Sequence, residues 1–383
     1  MRVQHVYYLA VLTVAYLPCL TQAAAQNRVS FDAINLDTAV ELDKLAAQLA
    51  TKRVVFIGEI HNRYDHHLNQ LTIIRRLHEL KPDIAIGIEY LPRSTQPQVD
   101  DYIAGRTTEQ EFLRAAAYYR NWGYDYRLYA PIFRYAREQH IPVVPLNVPN
   151  TLPSAVAKVG IAGLSQKQVK ELPREREPAD EAYRARLRAA FEEHGAANPG
   201  DFDRFVEEQL VWDEGMAEGA AAYLTANPAR GLVILAGSGH VVFDSSIPKR
   251  LERRTHATYV TIINSGEAIE PGIADYILLS ELQHLPPAGV LGIVPEEKNG
   301  ECRIGSLSPA GAAARAGVKK GDTLVTINDQ SIASPADVHL ALWDKKPGDT
   351  VRIKIRHRRR FGGVSAHDFE FKLGPPGRSA EMP

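Results

Sequence analysis

Five short apolar runs mark the first part of the chain, at residues 54–57, 84–88, 142–146, 231–236 and 259–263. Each is near-continuous instead of alternating, which is how strands buried on both faces of a parallel sheet read. Between the first two, residues 66–80 bring Leu68, Leu71, Ile74, Leu77 and His78 near one face of a helix. Further helical stretches cover residues 109–119 and 131–139. This alternation predicts an α/β domain, a mostly parallel sheet with flanking helices, over residues 26–283.

Residues 165–225 interrupt the alternation. The stretches 181–193 and 201–224 are long, charged and helical in period, and Pro173, Pro178, Pro199 and Gly200 separate them. They predict an all-helical insertion whose charged face meets solvent. After Ser280 the texture changes again. His284-Leu285-Pro286-Pro287 opens a linker over 284–288, and short strands with turns follow from Gly289 to residue 375, with one helix at 335–343. This predicts a small β-rich second domain, followed by a flexible tail at 376–383.

Charge narrows the function. With 45 Lys and Arg against 46 Asp and Glu, the chain has no basic field to hold phosphates, so no nucleic acid is expected as a partner. The basic run from His357 to Arg360 reads as a hairpin tip. Residues 1–25 read as a signal peptide: Arg2 supplies the charge, 6–17 are apolar, and Ala23-Ala24-Ala25 fits the cleavage site. The protein is therefore expected to be exported. Pro18 makes a poor lipobox before Cys19, so lipid anchoring is not favoured. Cys302 alone would remain, without an internal disulfide, as a small core residue.

The chemistry sits where the apolar runs stop. Gly58-Glu59-Ile60-His61 follows the first, Glu89-Tyr90 the second, Asn147 the third, and Gly237-Ser238-Gly239-His240 the fourth. In an open α/β sheet ligands bind beyond the carboxyl ends of the strands. Glu59, His61, Glu89 and His240 are thus a candidate shared site, suited to a divalent metal or to acid–base work. Structural pairing of either glutamate with Arg93 or Arg127 is the plainer alternative. His66 and His67 fall in a first helical turn, where one could face solvent. No standard zinc spacing or G-x-S-x-G motif is present. Residues 118–129 add six aromatics in twelve positions, among them Tyr118, Tyr119, Trp122, Tyr124, Tyr126 and Tyr129. Core packing explains some of these. Mixed with arginines, they could also wall a pocket for a flat anionic ligand.

The stretches VVFIGEIHNRYDHH, IGIEYLPR, QPQVDDYIAG, YAREQHIPVVPLNVP, QLVWDEGMA and LAGSGHV together resemble the ChaN family of haem-binding iron-uptake proteins, within the superfamily of Tiki, TraB and the erythromycin esterases. The resemblance covers about residues 29–280. It implies a periplasmic or surface location, haem bound between two protomers of a homodimer, and a tyrosine on the iron. Here it points to His61, His67, Tyr118, Tyr119, Tyr124, Tyr126 and Tyr129 as the haem-binding region. Superfamily relatives that are metal-dependent hydrolases imply an alternative use of Glu59, His61, Glu89 and His240 as metal ligands and catalytic residues. The C-terminal part, with LGI at 291–293 and SPAGAAARAGVKKGDTLVTINDQSI at 308–332, resembles a bacterial-type PDZ domain. That implies capture of a peptide or protein C-terminus by Leu291, Gly292 and Ile293, unless the domain packs against its own chain. Three readings follow: a haem-binding protein with a recruiting PDZ domain, a divalent-metal hydrolase whose PDZ presents peptides, or a scaffold without chemistry.

Overall fold

In the computed structural model, which describes residues 40–193, 199–266, 269–358 and 363–377, the five apolar runs form strands. They are β1 (Val54–Glu59), β2 (Ile84–Pro92), β3 (Val143–Asn147), β4 (Gly231–Gly237) and β5 (Tyr259–Asn264), with a short β6 (Tyr276–Leu278) at the edge. The order is β3-β2-β4-β1-β5-β6, and every neighbouring pair is parallel. β1 to β4 are buried along their whole length, which is why their sequences do not alternate. The signal-peptide residues and Cys19 lie outside the described residues, as does most of the 376–383 tail.

Two apolar layers cover the sheet. On one face Leu71, Ile74 and Leu77 of helix Tyr64–Leu80 meet Ile57, Ile86 and Ile88, together with Phe112, Tyr126 and Phe133. On the other, Phe56, Leu146 and Ile234 pack on Met216, Ala217 and Leu224 of helix Pro199–Ala226. The last helix of the 165–225 segment is therefore the crossover into β4 and part of the core. Helix Glu181–Glu193 rests on its N-terminal half through Tyr183, Leu187 and Phe191. The expectation that this charged segment faces solvent fails at Asp213 and Glu214, both fully buried. Glu214 sits among Arg250, Arg253 and Arg254, so its charge is matched where water cannot reach it. The predicted helix at 109–119 breaks into Glu109–Ala115 and Tyr118–Asn121, because Ala117 adopts a left-handed φ of 48°.

The second sheet is antiparallel. β7 (Ile293–Lys298), β8 (Glu301–Leu307), β9 (Thr323–Ile327), β11 (Thr350–Arg358) and β12 (Val364–Lys372) run in the order β12-β11-β9-β8-β7, and β10 (Gln330–Ser331) pairs with β9. Cys302 is free and buried in its core. His357 and Arg358 end one arm of the β11–β12 hairpin, and Arg359 and Arg360 lie outside the described residues.

Helix Pro335–Leu342 serves both domains. Val338 and Ala341 belong to the C-terminal core, whereas Leu340 joins the core of the α/β domain. Beside it, His339 stacks on Tyr119 with ring centroids 5.4 Å apart, and Trp343 meets Tyr126 at 5.7 Å. Arg114 Nη2 donates to Gln330 Oε1 at 3.2 Å, and Leu285 of the linker packs on the same α/β core. The C-terminal domain thus does pack on its own chain, through Leu340, His339 and Trp343 of this helix, while among the described residues the outer edge of β7 pairs with no strand.

Candidate functional site

β1, β4 and β2 are adjacent and parallel, so their carboxyl ends present Glu59, the Gly237–His240 turn and Glu89 side by side. Glu59 is buried and ringed by donors. Its Oε1 accepts from His61 Nδ1 at 3.0 Å, and its Oε2 from Gln70 Nε2 at 2.8 Å, His67 Nδ1 at 3.0 Å and the Tyr90 hydroxyl at 3.3 Å. The Tyr129 hydroxyl completes the ring at 3.4 Å from Oε1. Burial alone would raise this carboxyl's pKa; the charge of His67 and the hydrogen bonds of His61 and His67 outweigh it and hold the group well below the usual carboxylate range.

The histidines divide by their partners. His66 Nδ1 accepts from the Ile60 amide and its Nε2 donates to the Ser265 carbonyl, so it is neutral, and burial lowers its pKa. It locks the loop, with both ring nitrogens bonded to backbone. His67 directs Nδ1 at Glu59 and Nε2 at the His61 carbonyl, two acceptors that suit an imidazolium. Burial opposes that charge, and Glu59 more than restores it. His240 Nδ1 donates to Asp213 Oδ1 at 2.6 Å, and its Nε2 lies 3.5 Å from Glu89 Oε1. Burial works against its charged form, yet Glu89 and Asp213 push its pKa up to about 9. His61 is raised too, by its bond to Glu59 and the nearby Glu89 charge acting against burial.

Gly237 is required at the junction. Its N–H donates to Glu89 Oε2 at 2.7 Å, and a Cβ there would stand 2.8 Å from His61 Cε1. The result is two carboxylate–imidazole systems, Glu59 with His61 and His67, and Asp213 with His240 and Glu89. They can hold or pass a proton at His61 and His240. Among the described residues no three His, Cys, Asp or Glu side chains form a group that could hold a metal ion. The expected metal set of Glu59, His61, Glu89 and His240 is not among such groups; the Glu59 carboxylate is turned onto the Nδ1 atoms of His61 and His67.

The aromatic stretch splits in the structure. Tyr118 and Tyr126 are fully buried core residues, and the Tyr126 hydroxyl donates to Glu109. Tyr119 turns toward the C-terminal domain. Tyr129 is buried behind the site, its ring 4.4 Å from that of His67. Only Tyr124 reaches the mouth, 37% exposed, its ring 4.9 Å from His61 and 5.4 Å from Trp122. The Trp122 and His61 rings stand nearly perpendicular with centroids 4.8 Å apart, and Trp122 donates Nε1 to the Tyr129 hydroxyl. Arg93 pairs with Glu218 and Arg127 with Asp125, so neither neutralises Glu59 or Glu89.

Sequence reasoning placed Tyr90 at the strand end without giving it a role, and it missed Gln70, Asp213 and Tyr183, whose hydroxyl donates to Asp213 Oδ2 at 2.7 Å. Asp213 stands in the QLVWDEGMA stretch. Two acids next to small residues on a helix long enough to cross the sheet were the available signal.

Residues 45–251 match the family model described as haem-binding uptake, Tiki superfamily, ChaN, and residues 289–364 match that of the PDZ domain. Among solved structures, ChaN of Campylobacter jejuni with cofacially bound haem is 17% identical over 62% of this chain and 91% of its own, with a TM-score of 0.52, a likeness of fold. An erythromycin esterase mutant in its open conformation aligns over 77% of this chain and 90% of its own at 16% identity and a TM-score of 0.37. A serine endoprotease from Yersinia pestis aligns over 24% of this chain and 30% of its own at 23% identity and a TM-score of 0.20. The last two scores are too low to carry an argument. No curated protein matches the chain.

Proposed function

The chain belongs to the ChaN family of haem-binding uptake proteins in the Tiki superfamily and carries a PDZ domain after it; from this premise we propose that it is an exported haem-binding protein of iron uptake or handling, whose PDZ domain captures a polypeptide C-terminus. The observation that carries the haem reading is the mouth of the site. Tyr124 is the one residue of the aromatic stretch whose ring is both exposed and set against His61 and Trp122.

The residues present fit a haem. An accessible phenol is a hard oxygen donor for ferric iron, and an indole and a phenol ring offer a wall for a flat macrocycle. Gly123 and Gly239, beside Tyr124 and His240, look onto open space. His61 keeps Nδ1 on Glu59, which leaves Nε2 as the nitrogen free to meet a ligand. Export is supported by the apolar run at 6–17 and Ala23-Ala24-Ala25 after it, and a periplasmic location by the ChaN resemblance. Tail capture is supported by Gly292, whose φ of 77° turns the Leu291–Ile293 segment.

Haemin titration of the purified protein, followed by absorbance, tests the reading. A saturable Soret shift with high-spin tyrosinate bands is expected. Tyr124→Phe should remove those bands and weaken binding by about tenfold or more, since loss of a group that merely supports a ligand already costs that much. Tyr118→Phe should leave both unchanged. No saturable shift, or identical spectra for Tyr124→Phe, would overturn it.

A further inference from the structure

We propose that the C-terminal groove reads only the extreme end of a bound tail, because Pro295 interrupts the ladder one step in from the carboxylate. The inference rests on the tail-capture reading above and adds the residue that sets its selectivity.

β7 is the last strand of its sheet. The Gly292 carbonyl accepts from the Ser308 amide at 2.9 Å, so Gly292 directs its backbone at β8. Backbone direction alternates along a strand, so Val294 also points at β8 and Ile293 to the open edge; the register shift between Val294 and Pro295 takes up its extra residue, Gly305, on β8, so the alternation of β7 continues and Pro295 points outward too. The partner strand gives the same answer independently. Ile304, opposite Pro295, directs its N–H at the Asp322 carbonyl and its carbonyl at the Gly321 N–H, both away from β7. Pro295 therefore bonds nothing on β8 and faces outward, where a proline is tolerated in an edge strand.

A tail laid antiparallel along this edge places its carboxylate at the turn of Leu291, Gly292 and Ile293. The amide of its last residue meets the Ile293 carbonyl, and its last side chain meets the apolar wall of Ile293, Leu307, Val338 and Leu342. Two residues back, the tail lies opposite Pro295. There its N–H finds a carbonyl, but its own carbonyl finds no N–H. The carboxylate and the terminal side chain dominate recognition, and the third residue from the end is held by one bond where an ordinary strand would give two.

The test is peptide affinity in the full chain, using pools of dipeptides with a free amine and of hexapeptides, all with a free C-terminal aliphatic or aromatic residue. Pro295→Ala restores the donor. It should tighten hexapeptides about two- to tenfold, the worth of one backbone hydrogen bond, and leave dipeptides unchanged. An unchanged melting temperature and haemin titration would show that the variant is intact. Equal hexapeptide affinity in Pro295→Ala and the parent, or an equal gain for dipeptides, would overturn the proposal. C-terminally amidated hexapeptides that bind as well as the free acids would instead overturn tail capture itself.

Discussion

At the residue scale, the site is held by charges that would be ruinous if separated. His240 is raised from 6.5 to about 9 between Glu89 and Asp213. A raised base stabilises the fold fully below its unfolded value and loses that effect as pH climbs through its folded value. His240 should therefore contribute about 3 kcal/mol below pH 6.5 and almost nothing beyond pH 9. Urea unfolding of the parent and His240→Gln across pH 6 to 10 would show the gap between them closing by roughly that amount. A gap constant with pH would mean the imidazolium is not what holds Asp213. Asp213 and Glu59 act at the other end of the scale: both are depressed by their imidazoles, so their stabilisation is lost as pH falls through their folded values. Glu59, His61, Glu89 and His240 were legible in the sequence because each stands within four residues of the end of an apolar run. Asp213 was not, since an acid on a helix dense with acids looks solvated. Its burial follows only from the packing of Met216, Ala217 and Ala220 on the sheet.

At the scale of elements, the site is built from the ends of β1, β2 and β4 and roofed by a crossover helix. Gly237 is where these meet, and a methyl group there has no space that the His61 ring does not already fill. Gly237→Ala should cost about 1–3 kcal/mol, the usual range for overpacking. It should also displace His61, seen as weaker haemin binding even where the protein stays folded. Unchanged stability and binding would show that the His61 ring moves freely. The sheet itself was readable, since strands buried on both faces leave unbroken apolar runs. The break at Ala117 was not. Its left-handed backbone carries no glycine or asparagine to announce it, and it is this break that turns Tyr119 toward the C-terminal domain while Tyr118 stays in the core.

At the scale of the whole molecule, the two domains share a helix. Leu340 reads in sequence as one more apolar residue of the PDZ fold, yet it is buried in the core of the other domain. Calorimetry of the parent should give a single cooperative transition. Leu340→Ala should remove about 2–5 kcal/mol and separate the melting of the two domains. Two independent transitions in the parent would show that the shared helix does not couple them. A domain on a loose linker surrenders orientational freedom each time it takes hold of something. Here that freedom is surrendered once, when the chain folds. Any protein seized by its tail would arrive on a fixed bearing to the Tyr124–His61 mouth, like a workpiece in a jig.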